Sequence, residues 1–319
     1  MQSLAEYCRP FKDAYANWPP LPTPVDAREA WWQCWLKQSD RKRNWHELRL
    51  MLPQLLLSPG EGVCNGSAYA RLVLRGEPPQ TDDLELAPVL NDSAGLTIRL
   101  APHPTGAVPV VCFSDHDDFV LAVRCLAHRC KAVSVPSTVH AQAISGLIHW
   151  GLIRDVNPSM RCQILLLHKA PYASLASETI PGAPEPSDWL NASETWRLEH
   201  ELTHIACQRL VGEMRINLFD ELIADALGMI AALGQFDADL FRRGLGLSSE
   251  GQPSPDARAP VYVATLDPLR HTEAYQLVLQ RANEMAEQLN RNQWPLEPLE
   301  LLAKLVRCQL DQPLIDHDC

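Results

Sequence analysis

Four ionisable side chains stand at helical spacing in two neighbouring stretches, the second of them strongly apolar. His200 and His204 lie in "EHELTHIACQRL", Glu221 and Asp225 in "NLFDELIADALGMIAALG". Each pair is four residues apart, so on a helix its members stack on one face, one turn apart. Around them Leu198, Leu202, Ile205, Ala206 and Leu210 recur at helical spacing, as do Leu218, Leu222, Ile223, Ala226 and Met229. Ser187 or Asp188 is the expected cap of the first helix, Gly212 its stop, and Asn217 the cap of the second. Carboxylates with apolar flanks need partners once buried. A helix–short turn–helix unit over about 188–211 and 217–234 supplies them, by turning Glu221 and Asp225 back alongside the two imidazoles.

This arrangement is suited to a metal ion. Two imidazole nitrogens on one helix face can meet one ion at about 2.0–2.1 Å. Glu201 is rotated roughly 100° from His200 by the helical repeat. It therefore flanks the ion without displacing either histidine, where a base for a coordinated water is needed. A catalytic zinc takes three protein ligands and keeps one position open. Glu221 supplies the third ligand, and Asp225, one turn on, can accept the outer N–H of a ligating histidine. The competing reading is two surface histidines and a solvated acidic face. The strongly apolar flanks of Glu221 and Asp225 speak against the solvated face.

"HELTH" followed by "DELIAD" resembles the gluzincin zinc metallopeptidases, the thermolysin-like group, which carry H-E-x-x-H on one helix and E-x-x-x-D on the next. The likeness covers about residues 198–229, with 17 positions from His204 to Glu221. It implies His200, His204 and Glu221 as Zn2+ ligands, Glu201 as general base and Asp225 as the carboxylate behind a ligand. It also implies an Asp-oriented histidine downstream that stabilises the oxyanion. In "LDPLRHTEAY" His271 follows Asp267 by four residues and is the expected candidate, with Tyr262 and Tyr275 as alternatives. Arg215, between the two helices, is expected to be a structural ion-pair partner. The edge-strand Asn-Ala motif of the thermolysin-like enzymes is not evident.

The rest of the chain sets the frame. Its 319 residues are 46% apolar, enough for a large core in one domain or two. Residues 26–57 suggest two helices with a charged link and Asp26 as a cap. Over 58–115, "AYARLVLRG", "LTIRLAP" and "AVPVVCFS" read as strands, and so do "KAVSVP" and "RCQILLLHKA" further on. A helix opens after Ser114 or Asp115. Beyond 188 the chain is mostly helical, with further helices over 236–244, 268–290 and 297–311. The expected fold class is α+β: a mixed region with a small sheet over 1–185, then a helical region over 186–319 that carries the metal site, the two being separate or continuous.

Charge and composition narrow the partners. The formal net charge is −11, and the basic run "DRKRNW" at 40–45 is short. Nucleic acid and anionic membranes are therefore not expected partners. No apolar run approaches a membrane span, and the N-terminus lacks a basic start followed by an apolar core. A cytoplasmic protein is expected, with its ten scattered cysteines, Cys319 among them, as free and mostly buried thiols.

Three lesser candidates have simpler explanations. Cys125, His128 and Cys130 in "CLAHRC" are poorly spaced for zinc and read as core residues. "SDHDD" at 114–118 reads as a helix cap. Cys64 with His140 or His149 would make a nucleophile pair, but nothing in the spacing supports it. The expected function is a zinc-dependent peptidase acting on a peptide or protein, a processing protease of narrow specificity. The alternatives are a non-catalytic zinc-binding or regulatory module, and a metal-dependent hydrolase of a non-peptide amide.

Overall fold

The computed structural model describes residues 1–38 and 44–314. Most of the basic run at 40–45, and Cys319, lie outside the described residues. The fold is α+β, as expected, and the chain divides into two units. Pro20–Lys169 form a sheet unit. Met1–Pro19 join the residues from Ala170 onwards in a helical unit. The division thus falls at 169/170 rather than near 185, and the first residues belong with the last.

After α1 (Leu4–Cys8), the sheet unit begins with α2 (Ala27–Leu36) and α3 (Trp45–Met51). Asp26 caps α2 as expected, accepting from the Glu29 N–H at 2.8 Å. Next come α4 (Ser67–Tyr69), α5 (Thr81–Glu85), β1 (Thr97–Ala101), β2 (Val108–Phe113), α6 (His116–Leu126), β3 (Ala141–Leu147), α7 (Trp150–Asp155) and β4 (Cys162–His168). The sheet order is β1-β2-β4-β3. β2 and β4 are parallel neighbours, with Val110 opposite Leu165 and Phe113 opposite His168. β1 and β3 flank them, each antiparallel to its neighbour. Every residue of β2 is buried, and β4 is nearly so. Continuous apolar runs of this kind belong to strands covered on both faces.

Two expected strands are not strands. "AYARLVLRG" winds into α4 and a π turn over Ala70–Leu74, which buries Leu72 and Val73. Short apolar runs fit either period, and tertiary partners decide between them. Here the Trp150 indole N–H donates to the Val73 carbonyl at 3.0 Å, satisfying a backbone group at the irregular turn. "KAVSVP" carries no ladder pairing, and β3 supplies the edge instead. The register of β3 breaks between Ile144 and Leu147, where Gly146 sits at φ +77. A left-handed residue at such a break is the usual place for glycine.

The helical unit contains α8 (Pro186–Leu210), α9 (Leu218–Leu233), α10 (Ala238–Gly244), α11 (Ala259–Tyr262), α12 (His271–Asn290) and α13 (Pro298–Leu305). Pro186 opens α8 after Glu185, so Ser187 and Asp188 lie inside its first turn rather than capping it. Asn217 caps α9 as expected, accepting from the Phe219 and Asp220 N–H groups at 3.1 and 2.9 Å. The two helices run antiparallel, with Trp196 against Gly228, His200 beside Asp225 and His204 beside Glu221.

The first residues are tied to the start of α9. The Tyr7 hydroxyl accepts from the Leu218 N–H at 2.9 Å and donates to the Tyr262 carbonyl at 3.0 Å. Arg9 makes a two-pronged contact with Glu213. Arg215 pairs with the buried Asp220 at 2.6 Å and covers the Phe11 ring, the structural role expected of it.

The packing sets two expectations for stability. A Cβ on Gly228 would meet the Trp196 carbonyl oxygen at 2.7 Å and its ring at 2.4 Å. Inside an ordinary helix Gly→Ala stabilises by up to about 1 kcal/mol. Gly228→Ala should instead destabilise by about 1–3 kcal/mol in denaturant unfolding, through overpacking between backbones.

The second concerns His149, which is fully buried against Trp31 and Trp32. It caps α7, its Nδ1 accepting from the Leu152 N–H at 3.1 Å. Burial, helped by the Arg154 charge, pulls its pKa down to about 3. The unfolded chain therefore takes a proton near pH 6.5 that the folded chain refuses until about pH 3. Stability is unaffected above pH 6.5 and falls with pH below it, by about 1.4 kcal/mol per unit at most. His149→Asn keeps a capping side chain and should flatten that part of the pH–stability curve.

Candidate metal centre

α8 and α9 bring His200, His204, Glu221 and Asp225 into one buried cluster, with residual exposures of 6%, 8%, 4% and 0%. The Nε2 atoms of His200 and His204 are 3.1 Å apart. Glu221 completes a triangle, one oxygen 3.3 Å from His204 Nε2 and the other 3.5 Å from His200 Nε2. An ion held tetrahedrally at about 2.0–2.1 Å puts its ligand atoms about 3.3–3.4 Å apart. The two nitrogens, and each nitrogen with its nearer Glu221 oxygen, lie close to that spacing, so two imidazoles and one carboxylate fit a zinc-sized ion.

Asp225 orders the triangle from behind. Its carboxylate accepts from His200 Nδ1 at 2.8 Å and from the Trp196 indole N–H at 3.0 Å, and it also takes the Tyr172 hydroxyl. The proton on Nδ1 fixes the tautomer and turns the Nε2 lone pair towards His204 and Glu221. Burial and the Asp225 charge push the Tyr172 phenol well above its ordinary pKa, so it stays a donor. Tyr172 also stacks on Trp196, ring centroids 4.0 Å apart.

The cluster favours positive charge. Burial alone would lower the His204 pKa, but the hydrogen bond and charge of Glu221, with Glu201 and Asp220 adding, push it up to about 9. Burial would raise the Glu221 carboxyl, yet His200, His204 and Arg258 hold it well below the usual carboxylate range. A proton on His204 thus occupies the field that a divalent ion would use more fully.

Glu201 is half-buried on α8, and its charge acts on His204. Among the described residues its carboxylate has no hydrogen bond or ion pair. His271 is placed elsewhere: it opens α12 with Nε2 3.2 Å from the Leu266 carbonyl. Among the described residues no hydrogen bond, ion pair or ring contact joins His271 or Tyr275 to the cluster. Tyr262 is brought close through Arg258. That guanidinium lies 3.0 Å from Glu221 and 3.2 Å from the Tyr262 hydroxyl. Arg258 and Tyr172 escaped the sequence reading because both lie in irregular segments where no period marks them. Trp196, one turn before His200, carries no signal that would separate it from an ordinary core tryptophan.

The lesser candidates resolve as packing. The Cys125 and Cys130 thiols are buried and point at the Leu57 and Gln54 carbonyls. Cys64 lies beside Asn65 and His149 caps α7, so they form no nucleophile pair. Among the described residues no two cysteines form a disulfide. Asp115 caps α6, accepting from the Asp118 N–H at 3.0 Å.

A protein family matches residues 2–163 and 159–297, nearly the whole chain. It is described as "Family of unknown function (DUF7005)". The chain belongs to this family. No curated protein and no solved structure matches. The DUF7005 match spans both units and includes His200, His204, Glu221, Asp225 and Arg258. Among the described residues no helix is long and apolar enough to cross a membrane.

Asp225 concentrates the energetic stake of the cluster. Asp225→Ala would leave the Tyr172 hydroxyl, the Trp196 N–H and the His200 Nδ1–H without their acceptor in a dry interior. The loss should be about 3–5 kcal/mol of unfolding free energy in metal-free buffer, read by urea titration.

Proposed function

We propose that this chain is a zinc-dependent peptidase. The observation that carries the reading is the triangle of two imidazole nitrogens and one carboxylate, with edges of 3.1, 3.3 and 3.5 Å. His200, His204 and Glu221 would hold the ion. When bound, zinc supplies Lewis acidity, polarising a carbonyl and acidifying water.

The chain's own residues supply the rest. Glu201 takes the proton from the attacking water and later gives it to the leaving amine, which contributes about 10²–10⁴-fold. Its carboxylate, bonded to no described residue, is available for that exchange. Asp225 keeps His200 in one tautomer, with Tyr172 and Trp196 fixing Asp225 in turn. Arg258 fixes Glu221, as ligating carboxylates are themselves held by hydrogen bonds. Arg258 and Tyr262 replace His271 as the groups nearest to where an oxyanion would need stabilising.

The resemblance of "HELTH" and "DELIAD" to gluzincins supports the same reading. Nine described cysteines with no disulfide between them suit a reducing compartment, and a processing role within the cytoplasm is the narrower form of the proposal. A rival reading is a non-catalytic module. It draws on the Arg258–Glu221 ion pair, which lets the cluster balance its charge with His204 protonated and no ion.

Metal analysis and hydrolysis assays on three chains separate the readings. The parent should bind zinc and cleave members of a diverse peptide library. Glu201→Gln should keep the zinc and lose about 10²-fold or more in rate. His200→Ala should lose the metal at this cluster. A fully zinc-loaded parent that cleaves nothing in the library would overturn the peptidase and leave the non-catalytic module or a hydrolase of a non-peptide amide.

A further inference from the structure

A second group of histidines lies in the sheet unit, made by its topology. β2 and β4 run parallel, and β3 runs antiparallel beside β4. The ends of β2 and β4 and the start of β3 therefore share one edge of the sheet. His168 ends β4, His140 directly precedes β3, and His116 opens α6 just beyond β2. The His168 N–H donates to the His140 carbonyl at 2.8 Å, so the two are cross-strand neighbours. Ligands of sheets with parallel strands collect at this carboxyl edge.

The three imidazoles converge. Nδ1 of His140 lies 2.9 Å from Nδ1 of His168. The His116 ring centroid is 5.4 Å from that of His140 and 5.1 Å from that of His168. One ring nitrogen from each residue lies within 4.8 Å of the other two. The fully buried Phe119 backs His116 and His168 at 6.0 and 6.2 Å. Nε2 of His116 is 3.3 Å from the Val139 carbonyl. An N–H there donates to that oxygen and leaves Nδ1 as the acceptor nitrogen, the outer-partner arrangement of ligating histidines.

Two neutral ring nitrogens in contact can share one proton between them, and an ion can take that proton's place. Ligand nitrogens around one tetrahedral ion stand about 3.3–3.4 Å apart, so the 2.9 Å His140–His168 contact must open by a few tenths of an ångström and His116 must turn inward. Three imidazoles without a carboxylate ligand form a donor set for zinc, copper or nickel rather than magnesium or calcium.

We propose that His116, His140 and His168 form a second metal site, binding a divalent ion of the zinc type through three imidazoles. The half-buried rings leave its remaining coordination positions to water or a small ligand. This site shares no residue with the α8–α9 cluster, and it stands whether or not that cluster binds zinc.

Equilibrium dialysis of the full chain against Zn2+, followed by metal analysis, tests it. His116→Ala should lower bound zinc by about one equivalent, in the parent and equally in a chain already carrying His200→Ala. His140→Ala, checked by circular dichroism for retained fold, should do the same. If both substituted chains bind as much zinc as their parents, the second site does not exist. Zinc lost on His200→Ala but not on His116→Ala would overturn this proposal while leaving the α8–α9 reading intact.

Discussion

Burying Glu221 and Asp225 where the apolar α9 packs against α8 is the constraint around which the helical unit is arranged. A lone carboxylate in that setting would cost several kcal/mol. Despite their burial both are ionised below their ordinary range, because His200, His204 and Arg258 surround them. Everything nearby serves this balance. Asn217 fixes the start of α9, Gly228 lets the two backbones approach, and Tyr172 and Trp196 close off Asp225. The arrangement also explains why α9 can be buried over almost its whole length while carrying three acids. Asp220, the third, is answered by Arg215.

The same logic divides the two readings of the cluster. A network balanced by one proton on His204 is a stable buried ion-pair group in its own right. It is also the donor set of the proposed metal site, with two imidazole nitrogens and the Glu221 carboxylate close to ligand spacing. Glu201 is the residue on which the proposed peptidase chemistry would rest. It stands at the cluster, half-buried, and does nothing structural that the described residues reveal.

Much of this unit was legible because helical period, caps and ligand spacing are all local signals. His200, His204, Glu221 and Asp225 could be placed on facing helices from their four-residue spacing alone. Arg258 could not, since it reaches Glu221 from 37 positions away out of a loop with no period. His271 misled because an Asp–His pair near a helix start is equally good as a local turn, with Asp267 accepting from the Leu269 N–H. In the sheet unit the strongest run, β4, was clear, whereas the π turn at 70–74 shares its apolar spacing with a strand. The three clustered histidines were invisible for a different reason. "SDHDD" offered a complete explanation as a cap, and strand order, which no single segment encodes, is what gathers the rings.

The link between Tyr7 and Leu218 has a consequence for how the molecule comes into being. These partners are 211 positions apart, and Arg9 and Glu213 are nearly as distant. Closing so long a loop is slow, and the contacts cannot form before the later partner has left the ribosome. The sheet unit, one unbroken stretch, can settle while synthesis continues. The start of α9, and with it the Glu221 side of the cluster, gains its full set of braces only late in translation. A nascent chain therefore carries the histidines before it carries the carboxylate and the braces that complete their cluster.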